Sequence, residues 1–182
     1  MAINAEASRL SGKPCRDSRC VKISRVFPPD FNDHGTLFGG RLMAYIDDVA
    51  SISAARHSRA KVVTASTDSV DFLAPITPQD SVCLSSYVTW TGRSSMEVFV
   101  KAVAENLRTG ARTIAATAFL TFVALDDEGR PALVPPAIPE TSEELRLAET
   151  APARAELRRR HREESRTLAS FLTPDKFWEI DR

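Results

Sequence analysis

The spacing of apolar residues changes twice between residues 20 and 126. Residues 21–27 alternate between apolar and polar side chains, and a loop rich in Asn, Asp and Gly follows them. From about Gly40 to His57 the apolar positions recur with a helical period. Four later runs have the alternation or the continuous apolar character of strands; they are residues 62–73, 81–90, 95–106 and 112–125. The pattern predicts one strand, one long helix and four long strands.

The predicted helix is amphipathic when its residues are placed on a wheel at about 100° per residue. Its apolar face carries Leu42, Ile46, Val49, Ala50 and Ser53, with Met43 at the edge. Its opposite face carries Arg41, Asp48, Ser51 and Ala55. Asp48 is therefore expected in solvent, whereas Asp47 is expected at the flank of the apolar stripe, partly desolvated.

The last three predicted strands are separated only by short turns that contain glycine, "TGRSS" and "NLRTG". Such turns are typical of antiparallel hairpins. Residues 112–125 are apolar on both faces, as in a strand at the centre of a sheet. A single helix can be buried when a sheet of this kind wraps around it. An α+β domain with one central helix is therefore predicted.

The chain divides into three segments by composition. Residues 1–19 are small, polar and basic, which is typical of a flexible tail. Residues 20–130 form the predicted globular domain. Residues 131–182 form a C-terminal extension that starts Pro-rich and continues as a charged segment.

The charged part of the extension is predicted to be a helix over about Ser142–Thr167. Thr141 and Glu144 have the spacing of a capping box, and Pro152 is expected to interrupt the helix. The run "RRRHR" is more typical of a solvated helix face than of a nucleic-acid site.

Composition and charge exclude several classes of protein. Lys plus Arg and Asp plus Glu both number 24, so no overall charge attracts nucleic acid or a membrane surface. No apolar run is long enough to span a membrane. The N-terminus has no apolar core of a secretion signal. We therefore predict a cytoplasmic protein.

Cysteine usage favours reduced thiols over a metal site. The chain has three cysteines, an odd number. Cys15 and Cys20 could form half of a zinc site, but no second pair and no suitably spaced His follows them. No metal and no cofactor are expected.

The segment "FNDHGTLFGGRLMAYIDDVAS" concentrates the candidate chemistry. The first N–H groups of a helix are free and carry positive partial charge. Gly39 and Gly40 would let a substrate carbonyl reach them, although they could also simply make a tight turn. Taken alone, Asp47 is more typical of a structural carboxylate hydrogen-bonded to a neighbouring strand, and Asn32 is more typical of a turn residue. The motif that contains them favours catalytic roles, in which Asp47 activates water or attacks directly and Asn32 orients the water or polarises the carbonyl. His34 is a candidate base but fits a loop residue better.

These residues resemble a branch of the hot-dog acyl-CoA thioesterase family, the bacterial cytosolic acyl-CoA hydrolases. The family pattern is Asn-x-x-Gly-x-x-Phe/His-Gly-Gly with a carboxylate seven residues after the second Gly. The matching positions are Asn32, Gly35, Phe38, Gly39, Gly40 and Asp47. "VTASTDSVDFLAPI" and "TGRSSMEV" also resemble this branch, and the similarity extends over about residues 20–126.

The resemblance implies a hot-dog fold and hydrolysis of fatty acyl-CoA to CoA and a free fatty acid. It implies active sites at a dimer interface, where Asn32 of one subunit faces Asp47 of the other. It also implies that dimers assemble further, as homohexamers. Chain-length preference does not follow from it, nor does the choice between nucleophile and general base for Asp47.

Coenzyme A carries phosphates, for which the "TGRSS" turn offers candidates. Arg93, Ser94 and Ser95 could bind them through charge and hydroxyl groups, although Arg93 fits an ordinary exposed turn equally well. Thr64, near the start of the strand beside the helix, is expected to touch the pantetheine arm through its backbone.

Two other functions fit the same fold. A hot-dog hydratase or dehydratase normally uses a His with a carboxylate, and His34 is the only His in the loop. A non-catalytic acyl-CoA sensor would be expected to carry a DNA-binding helix pair, for which residues 1–19 leave no room.

Overall fold

The computed structural model of the chain describes residues 10–176. It contains seven strands and two α-helices. The strands are β1 (Lys13–Pro14), β2 (Cys20–Arg25), β3 (Lys61–Phe72), β4 (Asp80–Thr91), β5 (Ser95–Asn106), β6 (Arg112–Leu125) and β7 (Ala137–Ile138). The helices are α1 (Gly39–Ser58) and α2 (Ser142–Phe171).

Five of the strands form one antiparallel sheet with the order β2-β4-β5-β6-β3. The predicted meander is present as β4, β5 and β6. Strand β6 lies inside the sheet, between β5 and β3. Both of its faces are apolar because each packs on a different cluster: Leu120 and Phe122 lie in the main core, and Phe119 packs against the cluster that contains Tyr87 and Phe99. The two short strands β1 and β7 pair in parallel as a second sheet.

Helix α1 packs on the five-stranded sheet, as predicted. Its buried residues are Leu42, Ile46, Val49, Ala50, Ser53, Ala54 and His57. The wheel is therefore correct for the apolar face, and Asp48 lies in solvent, paired with Lys22 at 2.8 Å. The helix ends at Ser58 because Arg59 adopts a left-handed conformation, with φ of 56°, and its N–H donates to the Ala55 carbonyl.

The expected flexible tail needs correction from Lys13 onward. Residues 13–19 form β1 and a short 3₁₀ turn, and both Cys15 and Ser18 are fully buried. The hydroxyl of Ser18 accepts a hydrogen bond from the N–H of Val88 in β4 at 2.9 Å. A buried partner of this kind holds the segment on the sheet. Residues 1–9 lie outside the described residues.

The described chain divides into two compact units between Ala148 and Glu149, whereas the sequence suggested a boundary near residue 130. Residues 131–148 belong to the first unit because Val134 is buried in its core and β7 pairs with β1. The predicted capping box of α2 is confirmed. Glu144 Oε2 accepts from the N–H of Thr141 at 3.0 Å, and the N–H of Glu144 donates to Thr141 Oγ1.

The predicted interruption of α2 at Pro152 is wrong, because the helix runs through that residue to Phe171. The chain does turn helical at Ser142, as expected. The last six residues, 177–182, lie outside the described part of the extension.

Residues 10–176 contain all three cysteines of the chain. All three cysteines are unpaired; Cys15 and Cys20 are buried and Cys83 is half-buried. Within this range no group of metal-binding side chains occurs, and no helix is long and apolar enough to cross a membrane.

The C-terminal end of α1 is held by residues far away in the chain. Lys13 Nζ donates to the carbonyls of Arg56 and His57, at 2.9 and 2.8 Å, a favourable position for a cation at a helix end. The buried ring of His57 donates from Nε2 to the Pro135 carbonyl at 2.8 Å. Its Nδ1 has no hydrogen-bond partner among the described residues, so the ring is neutral.

Burial lowers the pKa of His57 below its usual 6.5, and nearby Lys13 adds to this effect. The unfolded chain therefore takes up a proton before the folded chain does. The free energy of unfolding should fall as the pH drops below 6.5, by at most about 1.4 kcal/mol per pH unit, until the folded ring also protonates.

Replacing His57 with glutamine should remove this part of the pH dependence, which denaturant unfolding at pH 7.0 and pH 5.5 can measure. The same substitution at exposed His161 is the control and should leave the dependence unchanged. Equal slopes for wild type and His57→Gln would contradict the assignment.

Candidate active site

The loop before α1 is folded around the side chain of Asn32. Its Oδ1 accepts hydrogen bonds from the N–H groups of His34 and Thr36, at 3.0 and 3.1 Å. Its Nδ2 donates to Thr36 Oγ1 at 2.9 Å. Gly35 completes the turn with φ of +69°, a conformation that side chains disfavour. Asn32 is thus held in one orientation, and the second hydrogen of its Nδ2 has no acceptor in the described part of the chain.

Contacts on both sides fix this loop to the helix. The Asp30 carboxylate forms an ion pair with Arg41, with Oδ1 and Nε 2.7 Å apart. The backbone carbonyl of Asp30 accepts a hydrogen bond from the N–H of Phe38 at 2.8 Å. The N–H of Leu37 donates to the Ile76 carbonyl at 2.9 Å. The start of α1 therefore has a defined position relative to Asn32.

Helix α1 begins without a side-chain cap. Residue Phe38 occupies the cap position and has no side-chain acceptor. The N–H groups of Arg41 and Leu42 donate to the Phe38 carbonyl. Those of Gly39 and Gly40 have no acceptor within residues 10–176. The two glycines thus present free donors at the positive end of the helix dipole.

Asp47 lies on the exposed side of α1 and is paired with Thr64. The Thr64 hydroxyl donates to Asp47 Oδ1 at 3.0 Å. Thr64 precedes a shift in the β3–β6 register, between Thr64 and Ser66, and such bulges commonly re-aim side chains near active sites. A hydrogen bond from Asp47 to a neighbouring strand was one of the sequence-based alternatives, but the Thr64 side chain was not identified as the partner, because only a backbone role was expected for Thr64.

The expected partial desolvation of Asp47 is not provided by its own chain, because the residue is exposed. Asp47 is also distant from the start of the helix. At 1.5 Å per residue it lies roughly 12 Å along the axis from Gly39. The free N–H groups and the carboxylate of one chain are therefore too far apart to act on the same carbonyl group.

The turn "TGRSS" connects β4 and β5. The N–H of Gly92 donates to the Ser95 carbonyl at 2.8 Å, and the carbonyls of Arg93 and Ser94 accept from Val134 and Ala124. Ser95 pairs with Val123, which pairs with Val63, the residue before Thr64. The turn is thus about 10 Å from Thr64, at the same end of the sheet.

The side chains of this turn differ in accessibility. Arg93 is exposed, and its guanidinium has no ion-pair or hydrogen-bond partner in the described part of the chain, whereas Ser94 and Ser95 are half-buried. His34 is also exposed. No carboxylate of residues 10–176 contacts its ring, so the chain itself does not supply a His–carboxylate pair in this loop.

Comparison with known proteins shows which family this chain resembles. The Thioesterase superfamily matches residues 34–111. A Bacillus subtilis protein named as an uncharacterized acyl-CoA thioester hydrolase is 62% identical over 90% of this chain and 95% of its own length. The chain belongs to the acyl-CoA thioester hydrolase family.

Solved structures of the acyl-CoA hydrolase family confirm the expected hot-dog fold. A hexameric acyl-CoA thioesterase is 48% identical, with a TM-score of 0.81 over 84% of this chain and 97% of its own. An acyl-CoA hydrolase from Staphylococcus aureus is 46% identical, with a TM-score of 0.84 over 87% of this chain and 97% of its own.

The Staphylococcus aureus hydrolase was solved in complex with butyryl coenzyme A, coenzyme A and coenzyme A disulfide. It was also solved as three variants in which an Asn, an Asp and a Thr are each replaced by alanine. Those three residue types occur in the order and at the spacing of Asn32, Asp47 and Thr64 in this member of the family.

Proposed function

We propose that this chain hydrolyses fatty acyl-CoA thioesters to CoA and free fatty acids. The observation that carries the proposal is the hydrogen-bonded pair of Asp47 and Thr64, in a family whose members are named for this reaction. The free N–H groups at Gly39 and Gly40 add two hydrogen-bond donors of the kind that stabilise the oxyanion in acyl transfer.

Each active site is shared between two subunits in this proposal. One chain supplies Asn32 and the start of α1, and a second chain supplies Asp47 and Thr64. The separation of roughly 12 Å along α1 supports this division. The partner would also cover Asp47 and so provide the desolvation that the chain alone lacks.

The chemistry follows from these positions. The thioester carbonyl oxygen accepts hydrogen bonds from the N–H groups of Gly39 and Gly40, which stabilise the negative charge of the tetrahedral intermediate. Asn32 orients water or polarises the carbonyl. Asp47, held by the Thr64 hydroxyl, takes a proton from the attacking water. The intermediate then breaks its carbon–sulfur bond, and the departing thiolate receives the proton.

Direct attack by Asp47 on the carbonyl carbon is the other route. It would give a mixed anhydride and CoA thiolate, and water would then hydrolyse the anhydride. Both routes consume one water and release one thiol and one carboxylic acid.

Two further features belong to the proposal. A homohexamer built from dimers is supported by the hexameric relative of similar fold. A cytoplasmic location stays a prediction from the sequence.

Release of free thiol tests the proposed reaction. Purified protein is incubated with acyl-CoA and a thiol reagent, and the absorbance change is followed. A hydratase would instead change the absorbance of an enoyl thioester without releasing thiol, and a sensor would bind acyl-CoA without turnover. Absence of thiol release across short, medium and long acyl chains would refute the proposal.

Arg93 is the proposed contact for a CoA phosphate. A guanidinium fork matches phosphate oxygens, and the exposed side chain of Arg93 is available for this contact. Replacing Arg93 with alanine should raise the KM for acyl-CoA about five- to tenfold, the effect of one charge-assisted hydrogen bond. The kcat should change little, because the contact is the same in the ground and transition states.

Arg108 provides the matched control, because it is an exposed arginine in the turn "NLRTG" at the other end of β5. Arg108→Ala should leave KM unchanged. A thioester of pantetheine without the nucleotide should not distinguish Arg93→Ala from wild type. An equal loss on both substrates would show that Arg93 supports the fold and not the phosphate.

A further inference from the structure

An apolar groove opens beside the start of α1. It lies between the Asn32 loop and residues 72–76, and its volume is about 360 Å³, near the lower end for small-molecule pockets. Leu37, Leu42, Phe72 and Ile76 supply apolar walls, and Asn32 and Gly39 lie at its edge. The groove is thus continuous with the proposed catalytic groups.

Phe72 is the wall closest to the free N–H groups. A Cβ atom added at Gly39 would lie 3.5 Å from the Cζ atom of Phe72. The tip of the ring therefore rests on the first turn of α1. The side chain is nevertheless 54% exposed, so one face of the ring is open to the groove and to solvent. An aromatic ring of this kind costs free energy in water unless something apolar covers it.

We infer that this groove receives the acyl chain of the substrate and that Phe72 limits the chain length that is accepted. The inference rests on the proposed hydrolase function and names the part of the site that reads the acyl group. A thioester oxygen bound at Gly39 and Gly40 places the first acyl carbons within contact of the groove. Its apolar walls favour methylene groups over water.

The ring occupies space that a longer chain would need. A groove of about 360 Å³ that is also open to solvent holds a short acyl chain better than a long one. Removing the ring while keeping the strand position enlarges the groove beside the thioester. Phe72 is the last residue of β3, where it pairs with Ala116 of β6, so the backbone there is set by the sheet.

The test is a chain-length profile of the Phe72→Ala variant. The ratio of kcat/KM for decanoyl-CoA to that for butyryl-CoA should rise about tenfold relative to wild type, a typical effect of changing the size of an apolar pocket. Phe72→Trp should shift the ratio in the opposite direction. Phe27→Ala is the control, because Phe27 is 56% exposed and does not line the groove.

Two outcomes would overturn the inference. An equal loss of kcat/KM at every chain length would mean that Phe72 only supports the fold. Dissociation of the assembly by Phe72→Ala, seen by size-exclusion chromatography with light scattering, would mean that another copy of the chain covers the ring.

A binding measurement separates this inference from the hydrolase proposal. Alkyl-CoA thioethers have the chain and the nucleotide but cannot be hydrolysed. Their dissociation constants, measured by calorimetry, should show the same Phe72-dependent preference for length. If the alkyl-CoA thioethers bound with this length preference but the protein released no thiol from acyl-CoA, the hydrolase function would be contradicted and the groove would not. Identical length dependence in wild type and Phe72→Ala would contradict the groove.

Discussion

Replacing Asp47 with alanine is expected to lower the kcat for acyl-CoA hydrolysis about a hundredfold or more, the scale of losing a general base or nucleophile. The carboxylate is exposed on its own chain, and within residues 10–176 it has a hydrogen bond only with the Thr64 hydroxyl. Its removal should therefore leave folding intact. Thermal unfolding and steady-state thiol release measure the two effects separately.

The neighbouring Asp48 provides the matched control. It is also an exposed carboxylate on α1, but it points to solvent and pairs with Lys22. Exposed ion pairs contribute little to stability, so Asp48→Ala should retain nearly full activity. If both variants lost activity equally, the assignment of the two faces of α1 would be wrong.

A mixture of two inactive variants should recover activity. If each site takes Asn32 from one subunit and Asp47 from the other, a dimer of Asn32→Ala and Asp47→Ala chains contains one intact site and one doubly damaged site. Random exchange makes half of the dimers mixed, so about a quarter of the wild-type activity should return. Thiol release after subunit exchange measures this directly.

Exchange itself must be verified, for example by native mass spectrometry of differently labelled chains. A chain carrying both substitutions, mixed with wild type, is the control: mixed dimers then contain two singly damaged sites and should be inactive. If verified mixed dimers of the two single variants recovered no activity, Asn32 and Asp47 of the same chain would have to act in one site.

Periodic segments of the fold were predictable from the sequence. The bounds of α1 differ from the expected ones by one residue at each end, because a long amphipathic pattern leaves little choice. The strands β5 and β6 also match, since glycine-containing turns mark their ends. The face assignment that separates Asp48 from the buried stripe follows from the same periodicity.

Short segments that depend on distant partners were not predictable. The N-terminal residues 13–19 contain few apolar side chains, and their order depends on single buried contacts such as Ser18 with Val88. The hydrogen bond between Thr64 and Asp47 joins two elements whose crossing angle no local pattern encodes. The groove at Phe72 is formed jointly by the Asn32 loop and the end of β3, so the sequence of neither segment alone could predict its depth.

The burial of Cys15 and Cys20 has a chemical consequence. Burial raises the pKa of Cys15 to about 12, helped by the nearby carboxylates of Glu144 and Glu140. The thiolate is the form that reacts with oxidants and electrophiles, and it is scarce here at neutral pH. Only Cys83 is partly accessible. In the folded protein the buried thiols of Cys15 and Cys20 should therefore react slowly with alkylating agents, and they should add little background where released CoA is detected as a thiol.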